Sequence, residues 1–140
     1  MAPPGTCLAT VHGLIDRECA TGISAQRIVV AGFSQGGAIA LQAALRYPQP
    51  LAGILALSTY LPLAATLAAE AAAANRAIPI LMCHGLQDPI VPLDLARKSV
   101  ALLMAQGYVP RLLEYPMQHS LCAAEVVAIS RWLVQLLPPV

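Results

Sequence analysis

The sequence predicts an α/β fold, a short parallel sheet of about four strands with helices covering it. Three observations carry this. Helix-period and strand-like segments alternate from end to end of the 140 residues. The strand-like segments are nearly continuous apolar runs, as in strands buried on both faces, rather than alternating polar and apolar positions. Each connection between consecutive strands is long enough to hold a helix, which parallel pairing requires. No repeat or internal boundary interrupts the pattern, so a single domain over residues 1–140 is expected.

Taken in order, Leu8, Val11, Ile15 and Cys19 recur at helical spacing, and Gly22 stops that helix. Residues 27–33, Arg-Ile-Val-Val-Ala-Gly-Phe, form the first strand. A helix from Gln35 to about Tyr47 follows, ended by Pro48 and Pro50. Residues 51–57 form the second strand. The Ala-rich stretch from Pro62 to Asn75 has high helix propensity and is expected to be one helix. Residues 78–83 form the third strand, with Pro79 near its start, where proline is tolerated. A helix from Leu93 to Gln106 closes at Gly107, residues 111–115 form the fourth strand, and a terminal amphipathic helix runs from Leu121 to about Leu137.

Composition narrows the function classes. Hydrophobic residues make up 58% of the chain and charged residues 11%, which argues against disorder. The net charge of +1 is scattered, so no nucleic-acid footprint and no polybasic membrane patch is expected. Mean hydropathy is high, at +0.68. Even so, no run reaches the roughly 18 apolar residues that a membrane-spanning helix needs. No signal peptide is visible at the start, and Cys7, Cys19, Cys83 and Cys122 lie far apart without metal-ligand spacing. Buried free thiols, a cytoplasmic location and no metal are the expectations.

Ligands of open parallel sheets bind beyond the carboxyl ends of the strands. After the first strand comes Gly32-Phe33-Ser34-Gln35-Gly36, after the third the loop from His84 to Pro92 with Asp88, and after the fourth a short loop with His119. The first is a G-x-S-x-G nucleophile elbow between strand and helix, in which the turn strains the serine backbone and lifts its hydroxyl clear. Gly32 and Gly36 are expected to be glycine because side chains there would collide with strand and helix. Gln35 would offer its backbone N–H to a developing oxyanion at the helix N-terminus.

A serine needs a base. His12 lies inside the first helix and reads as a surface or packed residue, and His84 ends a strand beside Gly85 and reads as a structural residue bonded to nearby backbone. His119 stands in the loop where a base is needed, and Asp88 is the acid placed to orient it. Glu114 lies within a strand, and Asp94 reads as an N-terminal cap. The order Ser34, Asp88, His119 is that of α/β-hydrolases rather than of chymotrypsin or subtilisin. Tyr60 and Leu61 follow the second strand as candidate borders of an acyl pocket; ordinary loop packing is the competing reading.

Residues 31–38, 57–62, 84–92 and 115–119 closely resemble the carboxylesterase/phospholipase family of α/β-hydrolases, which includes bacterial carboxylesterases and acyl-protein thioesterases. The likeness runs in order through essentially the whole chain. It implies Ser34 as nucleophile, Asp88 as orienting acid, His119 as general base, the backbone of Gln35 as an oxyanion donor, and no cofactor. It also implies short- to medium-chain esters as substrates, sometimes lysophospholipids or acyl thioesters. Family members carry further strands ahead of the first helix seen here, and one ends in the loop that gives a second oxyanion N–H. Val11-His12-Gly13-Leu14 looks like that motif but falls in a helical pattern.

The expected fold is therefore a minimal α/β-hydrolase without the N-terminal part, in which residues 27–33 become a sheet edge. Long apolar edges tend to pair with another chain, so a homodimer or higher homo-oligomer is expected. The leading function is a serine carboxylesterase acting on small-molecule esters. The competing functions are a catalytically weak or inactive oligomeric binding module and an acyl-protein thioesterase-like enzyme.

Overall fold

The structure, a computed structural model, describes residues 4–140. Its elements are α1 (Pro4–Ala20), β1 (Val29–Phe33), α2 (Gln35–Leu45), β2 (Gly53–Leu57), α3 (Ala64–Glu70), β3 (Ile80–Gly85), α4 (Leu93–Ala105), β4 (Pro110–Tyr115) and α5 (Ala123–Leu136). The sheet order is β1-β2-β3-β4 and every pairing is parallel. Phe33, Leu57, Cys83 and Leu113 stand abreast across the four strands, so the loops that follow open on one edge.

Successive residues of a strand point to opposite faces, and the core divides accordingly. Ile54, Ala56, Ile80 and Met82 face the larger layer, which holds Leu41 and Leu45 of α2, Leu67 of α3 and Leu103 of α4. Leu55, Leu81 and Cys83 face the other side, where Ile129 and Trp132 of α5 cover them. Gly53 permits that approach: a Cβ there would lie 2.7 Å from Leu136 and 3.0 Å from Trp132. No helix among the described residues is long and apolar enough to cross a membrane.

The first strand begins later than the sequence suggests. Residues 25–27 form a 3-10 turn, and Arg27 donates to the carbonyl of Pro138 instead of joining the sheet. The Ala-rich stretch departs further. It is not one helix but α3 followed by an extended step at Ala71 and a 3-10 turn at Ala73–Asn75. Asn75, 1% exposed, is the cause. Its amide donates to the carbonyls of Tyr47 and Gln49, and its oxygen accepts the N–H of Leu51. Three hydrogen bonds to the chain between α2 and β2 hold Asn75 where a continuous helix could not, and alanine propensity is too weak to oppose them.

Two smaller expectations are also corrected. Of the four free thiols only Cys83 is buried; Cys7, Cys19 and Cys122 are half-exposed. Pro92 occupies the N-cap of α4, and Asp94 sits within the first turn, where its charge favours the helix dipole without capping it.

β1 lies at the edge of the sheet. The Ile28 carbonyl accepts from Ala52 and the Ser34 N–H donates to Leu57. In a parallel ladder the groups of alternate residues then face away, so those of Val29, Ala31 and Phe33 point outward, unpaired in the sheet among the described residues.

Candidate active site

Ser34 follows β1 directly, at φ 56° and ψ −121°, a conformation that non-glycine residues rarely adopt. The neighbouring strand holds it there: its N–H donates to the Leu57 carbonyl at 2.8 Å, and its own carbonyl accepts the Thr59 hydroxyl at 2.6 Å. α2 then starts at Gln35, whose N–H is among those with no partner inside the helix.

The two glycines that flank the elbow, Gly32 of β1 and Gly36 of α2, behave differently. A Cβ at Gly32 would lie 2.1 Å from the Gly36 carbonyl oxygen, so the close approach of strand to helix requires glycine at 32. At Gly36 a Cβ would meet nothing within 4 Å, contrary to the collision expected there. Gly36 matters as the backbone that Gly32 touches. The crowded position in the helix is Gly37, where a Cβ would lie 2.6 Å from the Thr59 methyl.

Asp88 stands on the loop between β3 and α4 and is 6% exposed. One carboxylate oxygen accepts the N–H groups of Ile90 and Val91 at 2.8 and 2.9 Å, and the other lies 2.7 Å from His119 Nδ1. Burial pushes this carboxyl up, but the hydrogen bonds from His119, Val91 and Ile90 outweigh it together and hold it below the ordinary carboxylate value. Asp88 is therefore an ionised acceptor at neutral pH.

An ionised Asp88 fixes the tautomer of His119. Nδ1 carries the proton, and Nε2 presents its lone pair to the Ser34 hydroxyl 3.0 Å away. Phe33 packs against the His119 ring, with centroids 4.9 Å apart and planes tilted by 45°. The loop carrying His119 is joined to the loop carrying Asp88: Leu86 donates to the Tyr115 carbonyl and Gln87 to that of Met117. Gly85 makes the approach possible, since a Cβ there would lie 2.3 Å from both the Met117 and Gln118 carbonyl oxygens.

The other sequence candidates fall elsewhere. His12 lies on α1, its Nε2 bonded to the Ala43 carbonyl at 2.7 Å and its ring edge-on to Tyr47. Val11, His12, Gly13 and Leu14 are helical, as expected. His84 is 1% exposed, and its Nε2 donates to the Val91 carbonyl at 2.7 Å. Leu61 packs as the competing reading has it. It is 7% exposed and packs in the main core, with its N–H on Ser99. Tyr60 beside it is half-buried. Glu114 pairs with Arg97 through both carboxylate oxygens.

Three residues were missed by the sequence reading. Thr59 and Phe33 touch Ser34 and His119, and a contact across strands leaves no local signature. Ser58, between Ser34 and His84 in the sheet order, is fully buried at φ 51°, and its hydroxyl finds no hydrogen-bond partner among the described residues. A wide cleft of about 660 Å³, lined by Asp16, Cys19, Tyr47 and Gln49 among others, opens at the opposite end of the sheet and takes no part in this arrangement.

Comparisons with known proteins identify a family and a fold for the chain. A family model described as phospholipase/carboxylesterase matches residues 6–137. Acyl-protein thioesterase 1 of Gibberella zeae is 43% identical over 131 residues, covering 91% of this chain and 56% of the relative. The Neurospora crassa protein of the same name is also 43% identical, over 96% of this chain and 56% of its own length. The chain thus spans about half the length of these curated relatives. Among solved structures, Arabidopsis thaliana SOBER1 superimposes with a TM-score of 0.89 at 30% identity, covering 93% of this chain and 62% of that one. Zea mays acyl-protein thioesterase 2 superimposes at 0.81 with 27% identity, covering 93% and 64%.

Proposed function

Because this chain belongs to the phospholipase/carboxylesterase family, we propose that it is a serine hydrolase cleaving short- to medium-chain carboxylic esters through an acyl-enzyme. One observation carries the reading: the unbroken hydrogen-bonded line from Asp88 through His119 to Ser34, at 2.7 and 3.0 Å. In this reading His119 takes the Ser34 proton as the oxygen attacks the ester carbonyl, and Asp88 stabilises the imidazolium that forms. The Gln35 N–H, at the positive end of α2, faces the charge developing on the carbonyl oxygen. His119 then returns the proton to the leaving alcohol. Water, activated by the same imidazole, releases the acid, and Ser34 recovers its proton.

The names of the relatives favour one extension of the substrate range. Two are acyl-protein thioesterases, and an acyl thioester presents the same electrophilic carbonyl to Ser34. The outward-facing backbone of β1 supports self-association into a dimer, since the strand carries no charged residue to discourage pairing. Light scattering at micromolar concentration should show a species larger than a monomer; a monodisperse monomer would overturn this part. Four free thiols fit a reducing compartment, and we place the protein in the cytoplasm.

Hydrolysis of p-nitrophenyl butyrate tests the principal proposal. Turnover by the wild-type chain that disappears in Ser34→Ala is the expected result. A folded wild type with no turnover above background would leave an inactive binding module as the reading.

A further inference from the structure

We infer that His84 is a positioning residue: by gripping the Val91 carbonyl it fixes the loop on which Asp88 stands, and so aims the Asp88 carboxylate at His119. The inference rests on the proposed roles of Ser34, Asp88 and His119.

The chemistry of the His84 ring follows from its partner. A carbonyl oxygen can only accept, so the 2.7 Å contact between His84 Nε2 and Val91 makes Nε2 the protonated nitrogen. Val91 is then held on both sides. Its C=O is fixed by His84, and its N–H by the Asp88 carboxylate at 2.9 Å. The two bonds close the loop from β3 to α4 into a compact unit with Asp88 at its centre. His84 itself cannot drift, because it is 1% exposed and lies on β3 beside Glu114 of β4.

A second contact concerns the reacting oxygen. His84 Nε2 lies 3.6 Å from Asp88 Oδ2, too far for a hydrogen bond yet close enough for its N–H dipole to act on a carboxylate. Oδ2 is the oxygen that meets His119. The same ring nitrogen thus shapes the loop and faces the carboxylate oxygen that orients the base. A histidine serving only the core would satisfy a buried carbonyl just as well, but its loss would lower stability and leave turnover per folded molecule unchanged.

Three variants separate the two roles. In His84→Gln the amide nitrogen reaches about as far as Nε2 and can still donate to Val91. In His84→Asn a polar group remains in the buried space but stops short of Val91, and in His84→Leu the donor is gone. Loss of aim at a reacting group costs up to about a hundredfold in rate. The expected result is a kcat reduced by about that factor in His84→Asn and His84→Leu, with KM little changed, and most of it recovered in His84→Gln. The downfield proton resonance of His119 Nδ1–H should weaken in His84→Asn and return in His84→Gln. If His84→Leu fails to fold, the Asn and Gln pair decides.

Wild-type kcat in folded His84→Asn would overturn the inference, as would equal losses in the Asn and Gln variants. Ser34→Ala in the same assay distinguishes the two levels. An inactive Ser34→Ala beside a fully active His84→Asn removes the positioning role alone. An active Ser34→Ala removes the functional reading and this inference with it.

Discussion

The hydroxyl of Thr59, just beyond β2, donates to the main-chain carbonyl of Ser34 at 2.6 Å. The strained elbow of one strand is therefore braced from beyond the next strand as well as by the Gly37 and Ala38 N–H groups of its own helix. Thr59→Val keeps the shape, including the methyl against Gly37, and removes only the donor. It should destabilise the fold by about 1 kcal/mol and lower kcat for p-nitrophenyl butyrate. Urea unfolding and initial rates check both.

The glycines of the elbow should separate sharply. Gly32→Ala would drive a methyl into the Gly36 backbone, and Gly37→Ala into Thr59, so both should yield little folded protein. Gly36→Ala meets open space and should express and unfold like the wild type. Circular dichroism of the three variants made in parallel is sufficient; a wild-type-like Gly32→Ala would show that the elbow can relax.

Asp88→Asn preserves shape but not acceptor character. An amide facing His119 Nδ1 favours the opposite tautomer, leaving Nε2 protonated toward Ser34 and unable to take its proton. Turnover should fall by about ten-thousandfold while the protein remains folded. A drop of only a few-fold would mean that another group orients His119.

Ser58 carries a buried hydroxyl with no hydrogen-bond partner among the described residues. Ser58→Ala removes that polar group and leaves the backbone conformation as it is. It should raise stability by about 1 kcal/mol, seen as a higher midpoint in urea at unchanged slope. A lower midpoint would show that the hydroxyl makes a bond in solution.

Glu125 is fully buried in the first turn of α5, one oxygen accepting from Cys122 and the other without a partner among the described residues. Burial raises its carboxyl above the ordinary value, and the Cys122 N–H offsets this only in part. Its folded pKa thus exceeds its unfolded one. The associated stability is present below the unfolded value of about 4.3 and is lost as pH rises through the folded value. Glu125→Gln keeps the Cys122 bond and cannot ionise, so its stability should decline less over that interval. Parallel declines in wild type and variant would remove Glu125 as the cause.

What the sequence determined by itself is whatever short-range chemistry decides. Continuous apolar runs mark strands buried on two faces, and Gly32 to Gly36 carries a tight turn whose geometry depends on a few adjacent residues. The placement of Ser34, Asp88 and His119 on one edge also follows from chain order, because parallel strands send every following loop to the same side.

Tertiary structure alone decided the rest. The grip of His84 on Val91, the brace from Thr59 to Ser34 and the contact of Phe33 with His119 join separate segments, and their residue types have many ordinary uses. The break after α3 has the same origin. Alanine propensity is a small local preference, whereas the buried hydrogen bonds of Asn75 exist only once the chain before β2 has come alongside. Leu61, adjacent to the site in sequence, went to the core because the chain beyond β2 turns inward against α4. Local preference selects the elements, and the satisfaction of buried groups across them selects which residues meet.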